Sequence, residues 1–292
     1  MDRSADIDSV VHAHAVGFLA IDRSGLGRSS SSAGSGTLVE FLGIRGVATA
    51  AHVAATLKTL PEVGIMRFKP GRTYEAISCR GDQLEVTSVG SPPFGPDGPD
   101  LAFIRLPVEV ENRLAATNAF FNSLVRARLL DQGHSRPPGK LWFVTGTISE
   151  MSNSLGVDGS SSKMEHGAIK GAGHVESVEI KNGCDCLDFR ISHHEKFPAP
   201  SSYQGLSGGG LWELGEGVGL LDRTLVGLAY HQSERDGEGN RIIRCHGPLA
   251  LHEVLYLAVL DRYLPEQAKA HRETDWPDEA MPDLGTPDQV DK

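Results

Sequence analysis

One short stretch of the sequence has the composition of a nucleophile turn. Residues 203–212 are YQGLSGGGLW, so Ser207 is surrounded by glycines. Glycine permits a tight turn in which backbone N–H groups converge, and such groups can stabilise an oxyanion. A seryl hydroxyl is a weak nucleophile unless an adjacent base activates it, and that base must itself be oriented. The turn therefore predicts catalysis only if the chain also supplies a base and an orienting group.

The candidate base and orienting group both lie upstream of that turn. His52 follows the strand-like run VATAA, whose small residues let another segment approach, and precedes AATL, which can begin a helix. Asp100 stands directly before LAFIRL, where a carboxylate can be partly desolvated and still accept hydrogen bonds. Taken singly, a histidine at a strand end is most often structural, and an aspartate before a strand most often caps a loop. The catalytic interpretation therefore depends on their occurrence together with Ser207.

The spacing of the cysteines does not predict a metal site. The nearest approach to a ligand set is Cys184 and Cys186 with His193 or His194, but a second CxC or CxxC pair is lacking. Cys184 and Cys186 are also too close in sequence to form a disulfide with each other. We therefore expect free thiols, no metal and no cofactor.

The composition excludes several classes of function. The chain has 292 residues, of which 39% are hydrophobic, enough for a sizeable core. Its formal net charge of −10, without a basic stripe, argues against nucleic acids and anionic membranes as partners. The acidic first residues and the lack of a long apolar run predict neither a secretory signal nor a membrane span. With four irregularly spaced cysteines, we expect a globular protein of the reducing cytoplasm.

The elements that must position these residues are mainly strands. Short apolar runs separated by glycine and proline predict an all-β sandwich or barrel architecture. The predicted units are a flexible N-terminus (1–9), a first β unit (10–107), a linker with an amphipathic helix (108–139), a second β unit (140–247), a C-terminal helix (248–266) and a disordered acidic tail (267–292).

Several polar segments are expected to lie outside the core. The Ser/Gly-rich residues 22–35 are predicted to form a loop, and the polar residues 149–163 a mobile one. His12 and His14 alternate along one face of an apolar segment and have no thiol or carboxylate neighbours. We expect both at the surface or at a strand edge.

The three candidate catalytic residues occur in the order that one large family uses. The motifs are TAAHV (49–53), DLAFIRL (100–106), GLSGG (205–209) and LVGLA (225–229). In these motifs, their order and their spacing, the sequence resembles the trypsin-like (chymotrypsin-fold) serine peptidases over most of its length, from about residue 10 to 264.

The resemblance implies two six-stranded antiparallel β-barrels, packed side by side with the catalytic cleft between them. It implies a serine endopeptidase that cleaves polypeptide substrates through an acyl-enzyme. His52 would be the general base, Asp100 the group that orients it, and Ser207 the nucleophile. The backbone N–H groups of Gly205 and Ser207 would form the oxyanion hole.

Two departures from the family pattern concern activation and compartment. Secreted digestive members carry an aspartate before the nucleophile, which pairs with a newly cut N-terminus, whereas this chain has Leu206. The cysteine that commonly follows the catalytic histidine is replaced by Val53, which removes a disulfide. In both respects the sequence looks more like the bacterial trypsin-like peptidases, in an intracellular setting.

The substrate pocket also differs from that of trypsin. The position that carries an acid in trypsin corresponds to Ser201, so basic side chains would find no counter-charge there. By the same resemblance, Tyr230, His231 and Gln232 would pair with the substrate backbone and form a pocket wall. The long Gln232 would make the pocket shallow, which predicts small or uncharged residues before the cut.

Two alternatives to an autonomous peptidase remain open. One is a catalytically idle domain that keeps the fold and binds a protein partner in its cleft. The other is a peptidase that stays silent until a partner protein orders the cleft, which Leu206 and a mobile segment 149–163 would permit. The sequence names neither the substrate nor such a partner.

Overall fold

The fold is described from a computed structural model. It describes residues 13–23, 29–68, 76–123, 141–158, 161–165, 167–193, 199–214, 223–236 and 240–275. The predicted N-terminus, His12, His166, His194, residues 124–139 of the linker and residues 276–292 of the tail lie outside the described residues.

The first half of the chain forms an eight-stranded sheet. Its strands are β1 (Ala15–Asp22), β2 (Ser29–Phe41), β3 (Ile44–Thr49), β4 (Val63–Arg67), β5 (Ile77–Cys79), β6 (Glu85–Val89), β7 (Leu101–Arg105) and β8 (Phe121–Asn122). Seven of them follow the order β5-β4-β1-β2-β3-β7-β6 in antiparallel pairs, and β8 lies parallel to β2. Because β3 and β7 are neighbours in this sheet, the candidate base and its orienting group lie close together.

The second half forms a closed barrel of six antiparallel strands in the order β12-β13-β16-β15-β14-β9. The strands of this half are β9 (Leu141–Thr147), β10 (Asn153–Asp158), β11 (Ser161–Glu165), β12 (Ala168–Lys181), β13 (Cys184–Ile191), β14 (Gly210–Leu214), β15 (Arg223–Gln232) and β16 (Ile242–His246). The β10 and β11 strands pair only with each other, as a separate hairpin.

Helices occupy the connections and the C-terminal region. They are α1 (Ala51–Thr59), α2 (Val108–Ala115), a π-helical segment (Ala250–Leu255) that continues into α3 (Tyr256–Tyr263), and α4 (Pro265–Asp275). Short 3₁₀ turns lie at Gly81–Gln83 and Ser149–Met151. None of the helices among the described residues is long and apolar enough to cross a membrane.

The two sheets share their apolar core. In β15, Val226 and Ala229 pack inside the barrel, whereas Leu225 and Leu228 pack against residues of the first sheet and the C-terminal helices. Tyr230, at the end of the same strand, belongs to the core of the first sheet. Both faces of β15 are therefore buried, which explains why its sequence is a continuous apolar run rather than an alternating one.

The predicted architecture is confirmed in its coarser features and corrected in others. The chain is mostly β, with one closed six-stranded barrel, a second large sheet and a C-terminal helix. The first half is one eight-stranded sheet in which β5 and β6 are the outermost strands of the path, and its closure into a second barrel stays a prediction.

Three predictions about segments of the chain were wrong, and so was the surface or strand-edge position predicted for His14, which is buried. Residues 29–35, expected in a Ser/Gly-rich loop, belong to β2, because their backbone pairs with β1 even though their side chains are small and polar. The polar segment 149–163 contains a 3₁₀ turn and the paired strands β10 and β11. The tail expected to be disordered from residue 267 is helical as far as Asp275, since the buried Ala268 docks α4 on the core.

Candidate active site

The candidate base and its orienting group come together because their strands are neighbours. β3 pairs with β7 in a register that sets Thr49 opposite Ala102. His52 lies just beyond the end of β3, in the first turn of α1, and Asp100 lies just before β7. The two residues, distant in sequence, therefore meet at one edge of the sheet.

Asp100 binds His52 at two points. The Nδ1 atom of His52 lies 2.6 Å from Oδ2 of Asp100, and the backbone N–H of His52 donates to Oδ1 at 2.9 Å. Ala50, at the N-cap of α1, has no side chain that can accept an N–H of the first turn, so Asp100 takes over this role. Because a carboxylate only accepts, the neutral His52 ring carries its proton on Nδ1 and leaves Nε2 free to act as a base.

His246 binds the backbone of Asp100. Its Nε2 accepts the backbone N–H of Asp100 at 3.0 Å, and its ring stacks on Tyr230 with the centroids 4.1 Å apart. The side chain is completely buried. Burial lowers the pKa of His246 to about 4, against a smaller opposing effect of the Asp100 charge. The ring therefore stays neutral near pH 7 and can accept this hydrogen bond.

The turn around Ser207 is fixed by its own backbone and by an apolar anchor. The N–H of Leu206 donates to Tyr203, that of Gly209 donates to Leu206, and that of Gly208 donates to Ala229. The Leu206 side chain is buried in the barrel core. Leu206 thus anchors the turn by packing, at the position where digestive members of the resembled family carry a carboxylate.

Two N–H groups of this turn have no acceptor among the described residues, and they are those of Gly205 and Ser207. The N–H groups of the other residues in the segment all donate: Ser201, Ser202, Tyr203, Gln204, Leu206, Gly208 and Gly209. Gly205 and Ser207 both line the cleft described below. Both residues are partly exposed in the cleft, so their N–H groups are available to a bound oxyanion.

The Ser207 hydroxyl itself does not contact His52 by a hydrogen bond in the described structure. Its Oγ donates to the carbonyl of Tyr230 at 3.3 Å. A β-bulge places Tyr230 out of register with β16 and so turns this carbonyl towards the turn. Activation of the hydroxyl by His52 would therefore require this hydrogen bond to be replaced by one to His52.

Strand β2 supports the nucleophile turn from the first sheet. The Ser35 N–H donates to the Ser207 carbonyl at 2.8 Å, and its Oγ donates to the Gly205 carbonyl at 2.7 Å. The same Oγ accepts the N–H of Thr147 in the barrel at 2.8 Å. Ser35 therefore links the first sheet, the barrel and the turn that carries the candidate nucleophile.

A single cleft of about 710 Å³ contains these groups. His52, Asp100, Gly205 and Ser207 all line it, together with the aromatic ring of Phe94. The cleft runs between the first sheet and the barrel, so the structure brings together all the residues predicted to do chemistry.

Three of the four residues predicted to form the substrate pocket line the cleft, namely Tyr230, His231 and Gln232. Desolvation, followed by the nearby charge of Arg244, lowers the pKa of His231. Ser201 is exposed and is not among the cleft-lining residues. Its hydroxyl and N–H both bind the carboxylate of Glu150.

Sequence reasoning missed several residues that shape this site. His246, Ser35 and Arg241 gave no local signal, because each contacts the site only through strand neighbours that the fold supplies. Phe94 lies in a loop dense in proline and glycine, and its ring lies 6.5 Å from that of His52. A single aromatic residue in such a loop was the one available hint.

The described residues contain no cluster of three or more metal-ligating side chains. Cys79, Cys184, Cys186 and Cys245 are free thiols. Burial raises the pKa of Cys79 to about 11 and that of Cys184 to about 12. These thiols are therefore protonated near pH 7 and unreactive.

Comparison with known proteins gives a resemblance in fold at low similarity. No protein-family model and no curated protein matches the sequence. A structure from work on the VPg protein of Sesbania mosaic virus is 16% identical, covering 83% of this chain and 90% of that chain, with a TM-score of 0.39. A serine endoprotease from Yersinia pestis is 15% identical, covering 88% and 67%, with a TM-score of 0.47. The tobacco vein mottling virus protease is 12% identical, covering 87% and 82%, with a TM-score of 0.40. At these values the similarities carry no argument about activity.

Proposed function

We propose that the chain is a serine endopeptidase in which His52, Asp100 and Ser207 form the catalytic triad. One observation carries the proposal: the N–H groups of Gly205 and Ser207, which have no acceptor in the described part of the chain, lie in the same cleft as the His52–Asp100 pair. A triad and an oxyanion site together are what acyl transfer needs.

The mechanism follows from the hydrogen bonds of His52. Once the Ser207 side chain has turned from the Tyr230 carbonyl, Nε2 of His52 takes the hydroxyl proton while Oγ attacks the peptide carbonyl carbon. The negative charge that develops on the carbonyl oxygen is held by the N–H groups of Gly205 and Ser207, at about 3 kcal/mol for each donor. Asp100 keeps His52 in the correct tautomer and stabilises its protonated form.

Breakdown of the tetrahedral intermediate completes the first half of the reaction. The C–N bond breaks as Nε2–H of His52 gives its proton to the leaving amine, and an ester forms at Ser207. Water then attacks this ester, with His52 as base, and the tetrahedral intermediate that results expels Ser207 Oγ, which regains its proton. The products are a carboxylic acid and an amine, and no cofactor takes part.

A strand edge beside the cleft supports a polypeptide as the substrate. The pairing of β15 with β14 ends at Leu228, whereas its pairing with β16 continues to Gln232. Along His231 and Gln232, the side of β15 that faces away from β16 therefore has no strand neighbour among the described residues. An extended peptide can pair with such an edge and bring its scissile bond to Ser207.

A fluorophosphonate probe tests the proposed nucleophile. We expect the purified chain to be labelled covalently, and Ser207→Ala to abolish the labelling. Ser88→Ala is the matched control, because Ser88 is exposed on β6 and is not among the residues that line the cleft. Absence of labelling in the unmodified chain, with or without candidate activators, would sink the proposal.

A partner-activated peptidase is the second candidate, and the Ser207–Tyr230 hydrogen bond favours it. In such a protein a bound partner or substrate would release the hydroxyl towards His52. Slow labelling of the isolated chain that accelerates when a polypeptide substrate is added would support this candidate. Full and constant activity of the isolated chain would contradict the partner-activated peptidase.

A further inference from the structure

The lining of the cleft includes an arginine. Besides Ser207, the residues that line the cleft include Tyr203, Gln232, Arg241 and Ile243. Gln232 and Ile243 carry no charge, and the Tyr203 hydroxyl is neutral near pH 7, since burial raises its pKa further, to about 12. Arg241 is the one lysine or arginine side chain among the described residues that line the cleft.

The guanidinium of Arg241 is held in place by backbone carbonyls. Its Nε donates to the carbonyl of Ser201 at 3.2 Å, and its Nη1 donates to that of Ser233 at 2.7 Å. No carboxylate pairs with it among the described residues. Because a guanidinium carries more N–H donors than these contacts use, Arg241 is a preoriented and partly unsatisfied site for an anion.

The neighbouring charges leave Arg241 available. Arg235 donates to the same Ser201 carbonyl at 3.1 Å and adds a second positive charge outside the cleft lining. The carboxylate of Glu150 is occupied by the N–H groups of Ser201 and Ser202. Glu234 also lines the cleft but is exposed, where water screens its charge.

Gln232, which also lines the cleft, is not available to select a substrate side chain. The Oε1 atom of Gln232 accepts the N–H of Tyr203 at 2.8 Å, and its Nε2 donates to Oγ of Ser202 at 3.1 Å. Its amide is therefore already engaged in holding the nucleophile turn. Gln232 forms a fixed wall, and recognition of a charged group falls to Arg241.

We infer that Arg241 determines specificity, and that the substrates are polypeptides with Asp or Glu immediately before the scissile bond. This inference rests on the proposed peptidase function. A carboxylate that enters the cleft loses water, and a bidentate contact with an arginine compensates for that loss better than a neutral group does. This inference replaces the expectation of small or uncharged residues, which was based on the lack of an acid at Ser201 and on the long side chain of Gln232, because Ser201 lies outside the cleft lining and the lining includes Arg241.

Matched peptides that differ only before the cut test the inference. We expect kcat/KM to be at least about tenfold higher for Glu than for Gln, and for Asp than for Asn. Arg241→Gln should bring these ratios close to one. Arg235→Gln, which removes a neighbouring guanidinium outside the cleft lining, should keep them. Arg241→Lys keeps the charge but loses the bidentate geometry, so it should give an intermediate ratio. This variant tests the inference if Arg241→Gln fails to fold.

A binding measurement separates this inference from the proposed function. Fluorescence anisotropy with Ser207→Ala reports whether a peptide ending in Glu binds more tightly than one ending in Gln, without any need for catalysis. Equal cleavage and equal binding of the two peptides by a chain that reacts with the fluorophosphonate would overturn the inference alone. Tighter binding of the Glu peptide by a chain that never reacts would overturn the peptidase and leave acidic recognition by Arg241 in place.

Discussion

His246 is the residue next to the proposed triad whose role is easiest to isolate. Its Nε2 is the acceptor for the Asp100 N–H, and its ring packs flat on Tyr230. We expect His246→Phe to keep the aromatic packing but leave that N–H buried without a partner, which costs about 1–3 kcal/mol. Asp100 then shifts and His52 loses its orientation. The expected result is a fall of about tenfold or more in kcat with KM nearly unchanged, measured on a peptide substrate.

The His246→Gln variant provides the control for a merely structural effect. A glutamine oxygen can accept the same N–H, so this variant should recover part of kcat even though it loses the aromatic stacking. Thermal unfolding of both variants reports the packing cost separately. If the two variants lost equal activity in proportion to their stability, His246 would be a packing residue and would not position Asp100.

The residues fall into two groups according to how far the sequence could identify them. His52, Asp100 and Ser207 could be named in advance because each sits in a local pattern, and the patterns occur in a recognised order. Their catalytic roles stay predictions. His246 and Arg241 could not be named, since each acts through a contact with a residue far away in the chain. Such contacts are set by strand register and leave no pattern in a single sequence.

Among the strands and turns, β2 packs very closely against the nucleophile turn. Gly208 has a φ of +89°, and a methyl group there would overlap the carbonyl oxygen of Ser35 and the hydroxyl of Thr49. We expect Gly208→Ala to push the turn away from β2 and break the Ser35–Ser207 hydrogen bond. Fluorophosphonate labelling should fall by about a hundredfold or more, and the free energy of unfolding by about 3 kcal/mol or more.

Gly43 offers a matched control for this substitution. Its φ is +83°, but nothing lies within 4 Å of a methyl group added there. Gly43→Ala therefore carries only the backbone cost, about 1–2 kcal/mol, and should leave labelling unchanged. Equal effects of the two substitutions would show that strain in the turn, rather than its contact with β2, determines the result.

The prediction from composition was wrong for the segment of β2 that makes this contact. Residues 29–35 are small and polar, which is typical of loops, but small side chains are also what a strand needs where another backbone packs against it. The Ser35 hydroxyl binds both Thr147 and Gly205, so its polarity serves the junction between sheet and barrel. In contrast, β7 and β15 were predictable because continuous apolar runs are characteristic of buried strands.

For the protein as a whole, two buried histidines should determine how stability responds to mild acid. His14, expected at the surface or at a strand edge, is instead buried beside Trp212 and accepts a hydrogen bond from Arg223 at 2.9 Å. Burial, followed by the Arg223 charge, lowers the pKa of His14 from 6.5 to about 4. Burial has the same effect on His246. Both rings are thus neutral in the folded protein under conditions where the unfolded chain would protonate them.

The sign of the pH dependence follows from these lowered values. The stabilisation is complete above the unfolded pKa of 6.5 and is lost as the pH falls towards the folded pKa of about 4. Each histidine should contribute about 1.4 kcal/mol per pH unit to the slope within this window. Denaturant unfolding at a series of pH values should therefore show a slope that His14→Gln reduces by up to this amount, whatever its constant effect on stability. His174→Gln is the control, because it makes the same substitution at an exposed histidine of β12. A slope that stays the same in His14→Gln would mean that the pKa of His14 is not lowered in the folded protein.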